Sequence, residues 1–276
     1  MKKPPIGRDT KLCMSLSARP GNFGSRFQNH LYEALGLDYV YKSFTTTDLP
    51  AAIGGIRALG IRGCAISMPF KEACIALIDE LMPSASAIDS VNTIVNDDGL
   101  LRGYNTDYAA VVQLLETHAL PTRTRFVVRG SGGMAKAVVA ALRDSGFGDG
   151  LIVARNAAAG CKLAATYGFD WRPEFDVAFK AGLLVNVTPI GMVEGADSEA
   201  LAFPREAIEA AHTVFDVVAR PPETPLIRAA RAAGKPVITG AEVIVLQALE
   251  QFVLYTQRQP TPEQVQAAAA FALAGG

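Results

Sequence analysis

Apolar and polar positions along this chain follow two rhythms, and the change falls near residue 125. Before it, short apolar or alternating runs predict strands at Leu12–Ser17, Tyr39–Phe44 and Ile61–Ser67. Runs of that length fit a half-buried pleat. Helical spacing predicts a helix from Phe27 to Leu35, ended by Gly36, and another across 48–59 despite Gly54 and Gly55. Proline suits a first helical turn, so a further helix is expected from Pro69 to about Leu81. Val91–Val95 and Leu100–Tyr104 flank Asn96-Asp97-Asp98-Gly99, which reads as a hairpin. Thr106–His118 has the spacing of a connecting helix.

From Arg125 strands and helices alternate regularly. Strands are predicted at Phe126–Arg129, Leu151–Ala154, Leu183–Val187, Val214–Val218 and Val237–Thr239, with helices at 133–144, 157–167 and 224–233. This alternation predicts a parallel sheet with helices on both faces, and so an α/β fold. Residues 241–274 are almost all helix formers interrupted by Pro260 and Pro262, which predicts two closing helices. Two domains, divided near 103–123, suit this pattern.

The second rhythm opens on Val127-Val128-Arg129-Gly130-Ser131-Gly132-Gly133-Met134-Ala135-Lys136-Ala137. An apolar run enters, three glycines crowd the turn, and helix formers leave. A dinucleotide-binding turn has this form, because glycines let the backbone approach a pyrophosphate that faces the helix N-terminus. A tight strand-to-helix turn without a ligand uses glycine too, and the turn alone does not choose between them. After the next strand stands Ala154-Arg155-Asn156. An acid there would serve the ribose 2′-hydroxyl of NAD, whereas Arg155 suits a 2′-phosphate and therefore NADP.

Composition narrows the rest. Half of the 276 residues are hydrophobic, enough for a substantial core, and the formal net charge is −1. That balance offers no electrostatic case for nucleic acid or an anionic membrane. Cys13, Cys64, Cys74 and Cys161 form no C-x-x-C pair, and His30, His118 and His212 are far apart, so neither a disulfide framework nor a metal site is expected. No apolar stretch of signal-peptide kind follows Met1-Lys2-Lys3-Pro4-Pro5, and no run approaches the roughly 18 residues of a membrane span. The expectation is a soluble cytoplasmic protein acting on a small molecule, as monomer or homodimer.

Polar residues just after strands are the candidates for chemistry. Lys71, in Ser67-Met68-Pro69-Phe70-Lys71, would sit in a first helical turn, where the helix dipole favours acids instead. Asn92-Thr93 and Asn105-Thr106-Asp107 edge apolar segments, and capping or turn duty would also account for them.

In order and spacing these pieces resemble the shikimate dehydrogenase family. Ser67-x-Pro-Phe-Lys71 is similar to its catalytic-lysine motif, Ser90-Val91-Asn92-Thr93 to its substrate-asparagine motif, and Gly103-Tyr104-Asn105-Thr106-Asp107 to its Gly-x-Asn-Thr-Asp. Gly130-Ser131-Gly132-Gly133, Asn186-x-Thr188…Gly191-Met192, Thr224-Pro225-Leu226 and Gly240…Gln247 complete the series. The resemblance implies reversible NADP-dependent hydride transfer between 3-dehydroshikimate and shikimate, a step of the chorismate route to aromatic amino acids. Lys71 would be the general acid/base and Asp107 its partner, with Asn22, Ser67, Asn92 and Gln247 joining them around substrate. Gly130, Ser131, Gly132, Gly133, Met134, Ala135, Arg155, Asn156, Thr188, Val217 and Gly240 would meet the cofactor. The resemblance also implies a substrate-binding domain of residues 1–103 plus 241–276 and an NADP-binding Rossmann domain of 104–240.

Departures from the family are specific. Asn22 and Gly24 occupy the places of two serines that hold the substrate carboxylate, and Ser25 that of the following proline. Ala219 replaces a tyrosine, and the family's second arginine after Arg155 falls on Ala159. These changes point to the shikimate dehydrogenase-like branch. They leave open weak turnover of shikimate, a quinate or aminoshikimate substrate, or a non-catalytic NADP(H)-binding regulator.

Overall fold

The structure is a computed structural model that describes residues 3–193 and 195–274. Two compact units emerge. One runs to Thr106 and resumes at Val245, and the other is Asp107–Ile244.

The first unit begins with β1 (Lys11–Leu16), α1 (Phe23–Ala34), β2 (Tyr39–Phe44), α2 (Leu49–Ala58) and β3 (Gly63–Ile66). It continues with β4 (Glu80–Leu81), α3 (Pro83–Ser86), β5 (Thr93–Asp97) and β6 (Leu100–Tyr104). The sheet has the order β2-β1-β3-β5-β6-β4. β1 runs parallel to β2 and β3, while β5 is antiparallel to both β3 and β6. Successive strand residues face opposite sides of a sheet. Met14 accordingly packs with Ile53 and Ile56 of α2, and Cys13 with Phe27 and Leu31 of α1.

The helix expected from Pro69 to Leu81 does not form. Only Ile75–Leu77 makes a short 3-10 turn. The backbone groups a helix would use are bonded elsewhere: the Lys71 carbonyl accepts the Val91 N–H at 2.9 Å, and the N–H groups of Asp79 and Met82 donate to Leu101 and Gly103 at 3.0 and 2.9 Å. An open edge on β6 recruited this segment as β4, and that tertiary pairing overrode the proline cue.

The second unit holds α4 (Thr106–Thr117, from its second residue), β7 (Phe126–Arg129), α5 (Gly133–Asp144), β8 (Gly150–Val153), α6 (Ala157–Tyr167) and β9 (Asp170–Arg172). β10 (Leu183–Asn186), α7 (Arg205–Ala210), β11 (Thr213–Asp216), α8 (Pro225–Ala232) and β12 (Val237–Thr239) follow. Its sheet, β12-β11-β10-β7-β8-β9, is parallel throughout. Helices cover such a sheet on both faces, which explains why β8, β10 and β11 are buried at every position. β9 and α7 were not foreseen, being a three-residue strand with a polar residue at either end and a six-residue helix.

Strand order reverses between β7 and β10. In open α/β sheets the crevice beyond the strand ends at such a switch is where ligands bind. The loops at that point carry Gly130 after β7 and Thr188 after β10.

α9 (Gly240–Thr256) and α10 (Pro262–Leu273) close the chain. A Thr261–Gln264 capping box starts α10. Phe252 and Tyr255 of α9 and Ala268 and Ala272 of α10 complete the second core of the first unit. Gly63 is required beneath them, because a Cβ there would lie 2.2 Å from the Tyr255 ring.

Candidate functional site

In the first unit, three segments meet beyond the ends of β1 and β3. The Ile66 N–H donates to Asn92 at 2.7 Å, Ser67 to Leu16 at 2.9 Å, and Ala18 to Met68 at 3.1 Å. With Val91 bonded to the Lys71 carbonyl, these bonds draw Ser67, Lys71 and Asn92 into one cluster. Ser67 is exposed and Lys71 half-buried. Asn92 is fully buried.

Asn92 is the most constrained of the three. Its side-chain oxygen accepts from the Thr93 hydroxyl at 2.8 Å, the Thr106 N–H at 2.8 Å and the Thr106 hydroxyl at 3.2 Å. Gln251 of α9 donates to the Thr93 hydroxyl at 3.0 Å, so that oxygen is held as acceptor and its proton is directed to Asn92. The amide nitrogen of Asn92 is buried and has no partner among the described residues. A buried donor without an acceptor costs about 1–3 kcal/mol, which a bound oxygen would relieve.

Asn22 is exposed and precedes α1 without capping it. Its surroundings are tied to β2: Ser43 donates to the Gly21 carbonyl at 3.2 Å, and the Ser25 and Ser43 hydroxyls lie 2.7 Å apart. Gln247 is half-buried on α9, one turn before Gln251. Gln251 escaped the sequence reading, although its spacing of four from Gln247 places both on one helix face.

In the second unit, Asp107 is buried in the first turn of α4. Gly130 has φ +126°, and a Cβ there would lie 2.8 Å from Val187, so its glycine follows from conformation and packing. Gly240 likewise meets the Val218 backbone, at 2.4 Å. Gly132 and Gly133 differ, because neither has a positive φ and a Cβ on either would enter open space. Nothing in the fold demands glycine at these two positions. They begin α5, whose first turn has no acidic residue and whose N-cap makes no side-chain bond. Free N–H groups and the positive helix end suit a phosphate approaching closely.

A cavity of about 810 Å³ opens beside this turn. Arg129, Gly130, Ser131, Arg155, Asn156 and Thr188 line it, while Gly132, Gly133, Met134, Ala135, Val217 and Gly240 stand outside its lining. Asn156 caps α6, accepting from the Ala159 N–H at 3.0 Å. The Thr188 hydroxyl donates to Asn186 at 2.6 Å. Arg129 was not singled out from sequence, though a cation ending an apolar strand is a readable signal. It is half-buried, and burial together with the nearby charge of Arg155 lowers its pKa.

Asp216 ends β11 and precedes Val217. It accepts from Thr224 at 2.6 Å, Asn186 at 3.0 Å and the Val218 N–H at 3.1 Å. Burial outweighs those bonds and raises its pKa to about 6.

Among the described residues no helix is long and apolar enough to cross a membrane. The four cysteines are free, and Cys161 alone of them is exposed.

Comparison with known proteins gives these geometries a context. A family model for the shikimate dehydrogenase substrate binding domain matches residues 23–94. A shikimate dehydrogenase-like protein of Haemophilus influenzae is 57% identical over 97% of this chain and 98% of its own. The NADP(+) shikimate dehydrogenase of Moorella thermoacetica is 34% identical over 84% of this chain and 82% of its own. The structure of shikimate 5-dehydrogenase from Thermus thermophilus, in complex with NADP(H) and shikimate, superimposes with a TM-score of 0.84 at 30% identity, covering 95% of this chain and 100% of that one. Likeness of this extent, joined to the motif order and the parallel sheet with its glycine turn, means that the chain belongs to the shikimate dehydrogenase family.

Proposed function

We propose that this chain is an NADP-dependent oxidoreductase interconverting shikimate, or a closely related cyclic hydroxy acid, with the corresponding ketone. The observation that carries this reading is the buried, unpartnered amide nitrogen of Asn92 in the loop cluster that also holds Lys71. Such a donor suits a ring hydroxyl. The substrate role falls to residues 1–103 plus 241–276 and the cofactor role to 104–240.

When bound, NADPH supplies the hydride. Lys71 then protonates the carbonyl oxygen as negative charge grows on it, and takes the proton back in the oxidative direction. The resemblance makes Asp107 the group that orients Lys71. Gly132 and Gly133 give a pyrophosphate room against α5, and Arg155 on the cavity wall suits a 2′-phosphate. The Moorella relative's name and the ligands of the Thermus structure support NADP over NAD.

Asn22 favours a second reading within the same class. Its amide is exposed and not used in capping, so a substrate differing from shikimate at the carboxylate end, such as quinate, would find a different partner there.

The test is NADP+ reduction, followed by NADPH absorbance, with shikimate and quinate on wild type and Lys71→Ala. The variant should lose on the order of 10²–10⁴ in rate. Equal rates in the two proteins would remove Lys71 from the chemistry. Absence of turnover on every cyclic hydroxy acid, with NADP(H) still bound, would make the protein a non-catalytic regulator.

A further inference from the structure

Two guanidinium groups line the cavity beside the glycine turn, one from the end of β7 and one from the loop before α6. Arg155 is exposed, but Arg129 is half-buried, so its charge is carried at a desolvation cost. Arg155 lowers the Arg129 pKa and Asp197 raises it. Glu174 and Asp197, both exposed, lie on the same lining. A dianion of phosphate size on the wall that carries the two guanidinium groups gains attraction from each.

Arg129 is also held in place. One guanidinium nitrogen donates to the Ala202 carbonyl, which uses one of its five N–H donors and orients the others. The first turn of α6, Ala157, Ala158 and Ala159, offers no second cation. Any phosphate bound by Arg155 must find further positive charge elsewhere on the lining, and among the described residues Arg129 is the only other cation there.

We propose that Arg129 is a second specificity-determining cation for the 2′-phosphate of NADP, acting with Arg155 from the end of β7. This assignment rests on the NADP reading above. The planar fork of arginine suits phosphate oxygens two at a time, and a charge-assisted pair is stronger than a neutral one.

Calorimetry with adenosine 2′,5′-bisphosphate and with 5′-AMP tests it without catalysis. Arg129→Met keeps an apolar stem of similar reach. It should weaken the bisphosphate by about ten- to a hundred-fold while moving 5′-AMP by no more than about two-fold. Retained 5′-AMP binding also reports a folded unit. Arg129→Lys keeps a cation but loses the fork and should give a smaller, measurable loss of the preference, which secures the test if the methionine variant does not fold. Equal loss for both probes would place Arg129 on the adenosine or the 5′-phosphate and overturn the proposal, as would no loss for either. A wild type without preference for the bisphosphate would instead overturn the NADP reading. If Arg155→Met alone abolishes the preference and Arg129→Met leaves it intact, the NADP reading stands and Arg129 falls.

Discussion

The side-chain oxygen of Asn92 accepts the backbone N–H of Thr106 at 2.8 Å, so the residue at which the chain leaves the first unit fixes which way the amide points. The nitrogen end is thereby committed to whatever the site receives. Asn92→Asp keeps the bond to Thr106 and replaces a donor with an acceptor. Steady-state kinetics on shikimate should show KM raised about ten-fold or more, with kcat less affected, as for loss of one hydrogen bond plus a repelled oxygen. An unchanged KM would mean that Asn92 does not touch substrate.

Under the proposed function Lys71 and Asp107 act as one proton-transferring pair, and pairs of that kind are not additive. Lys71→Ala and Asp107→Asn should each lower kcat. The double variant should then lose little beyond the worse single one, because the second change has no partner left to disturb. Losses that multiply would show that the two act independently.

Gly130 and Gly133 make opposite predictions on substitution. Gly130→Ala puts a Cβ into Val187 at a backbone angle only glycine adopts readily, and should lower the melting temperature. Gly133→Ala meets nothing, lies within α5, and should leave stability unchanged or raise it by about 0.5–1 kcal/mol. Its effect should appear in titration with NADP+, as affinity weakened by at least about ten-fold. Normal NADP+ affinity in Gly133→Ala would take the pyrophosphate away from this turn.

Asp216 makes stability depend on pH. Its pKa rises from 3.8 to about 6 on folding, so between those values the folded state holds more protons than the unfolded one. Stability therefore falls as pH rises through that window, and the penalty is complete above it. A gap of about two pH units, at about 1.4 kcal/mol each, sets an upper scale of about 3 kcal/mol. Urea unfolding at about pH 3.5 and about pH 7, one on each side of this window, should show this contribution shrinking in Asp216→Asn. The same pH slope in both proteins would assign it to other groups.

Elements with strong periodicity were legible before any coordinates. The alternation after Arg125 is a parallel sheet whose inner strands β8, β10 and β11 are buried at every position, and such strands read as apolar runs. The 69–81 segment departs from its local pattern because its structure depends on an edge of β6 that no local pattern reveals. Within the candidate site, Lys71, Asn92 and Asp107 stood out as polar residues at strand and helix ends. Gln251 and Thr93 did not, since their importance lies in a hydrogen-bond relay to Asn92 across a separation of 158 residues. Arg129 was in view inside the glycine turn, yet its meaning depends on sharing a cavity with Arg155.

The route of the chain through its two units also sets an order of events during synthesis. Asp107–Ile244 is one unbroken segment and can close its sheet as soon as it emerges. The first unit cannot, because Cys13, Phe27 and Tyr41 are covered by side chains of α9 and α10 at the other end of the chain. At ~5–20 residues per second that apolar face waits on the order of ten seconds or more for its cover. α9 and α10 therefore set when that face is covered, although none of the residues proposed for proton transfer lies on them.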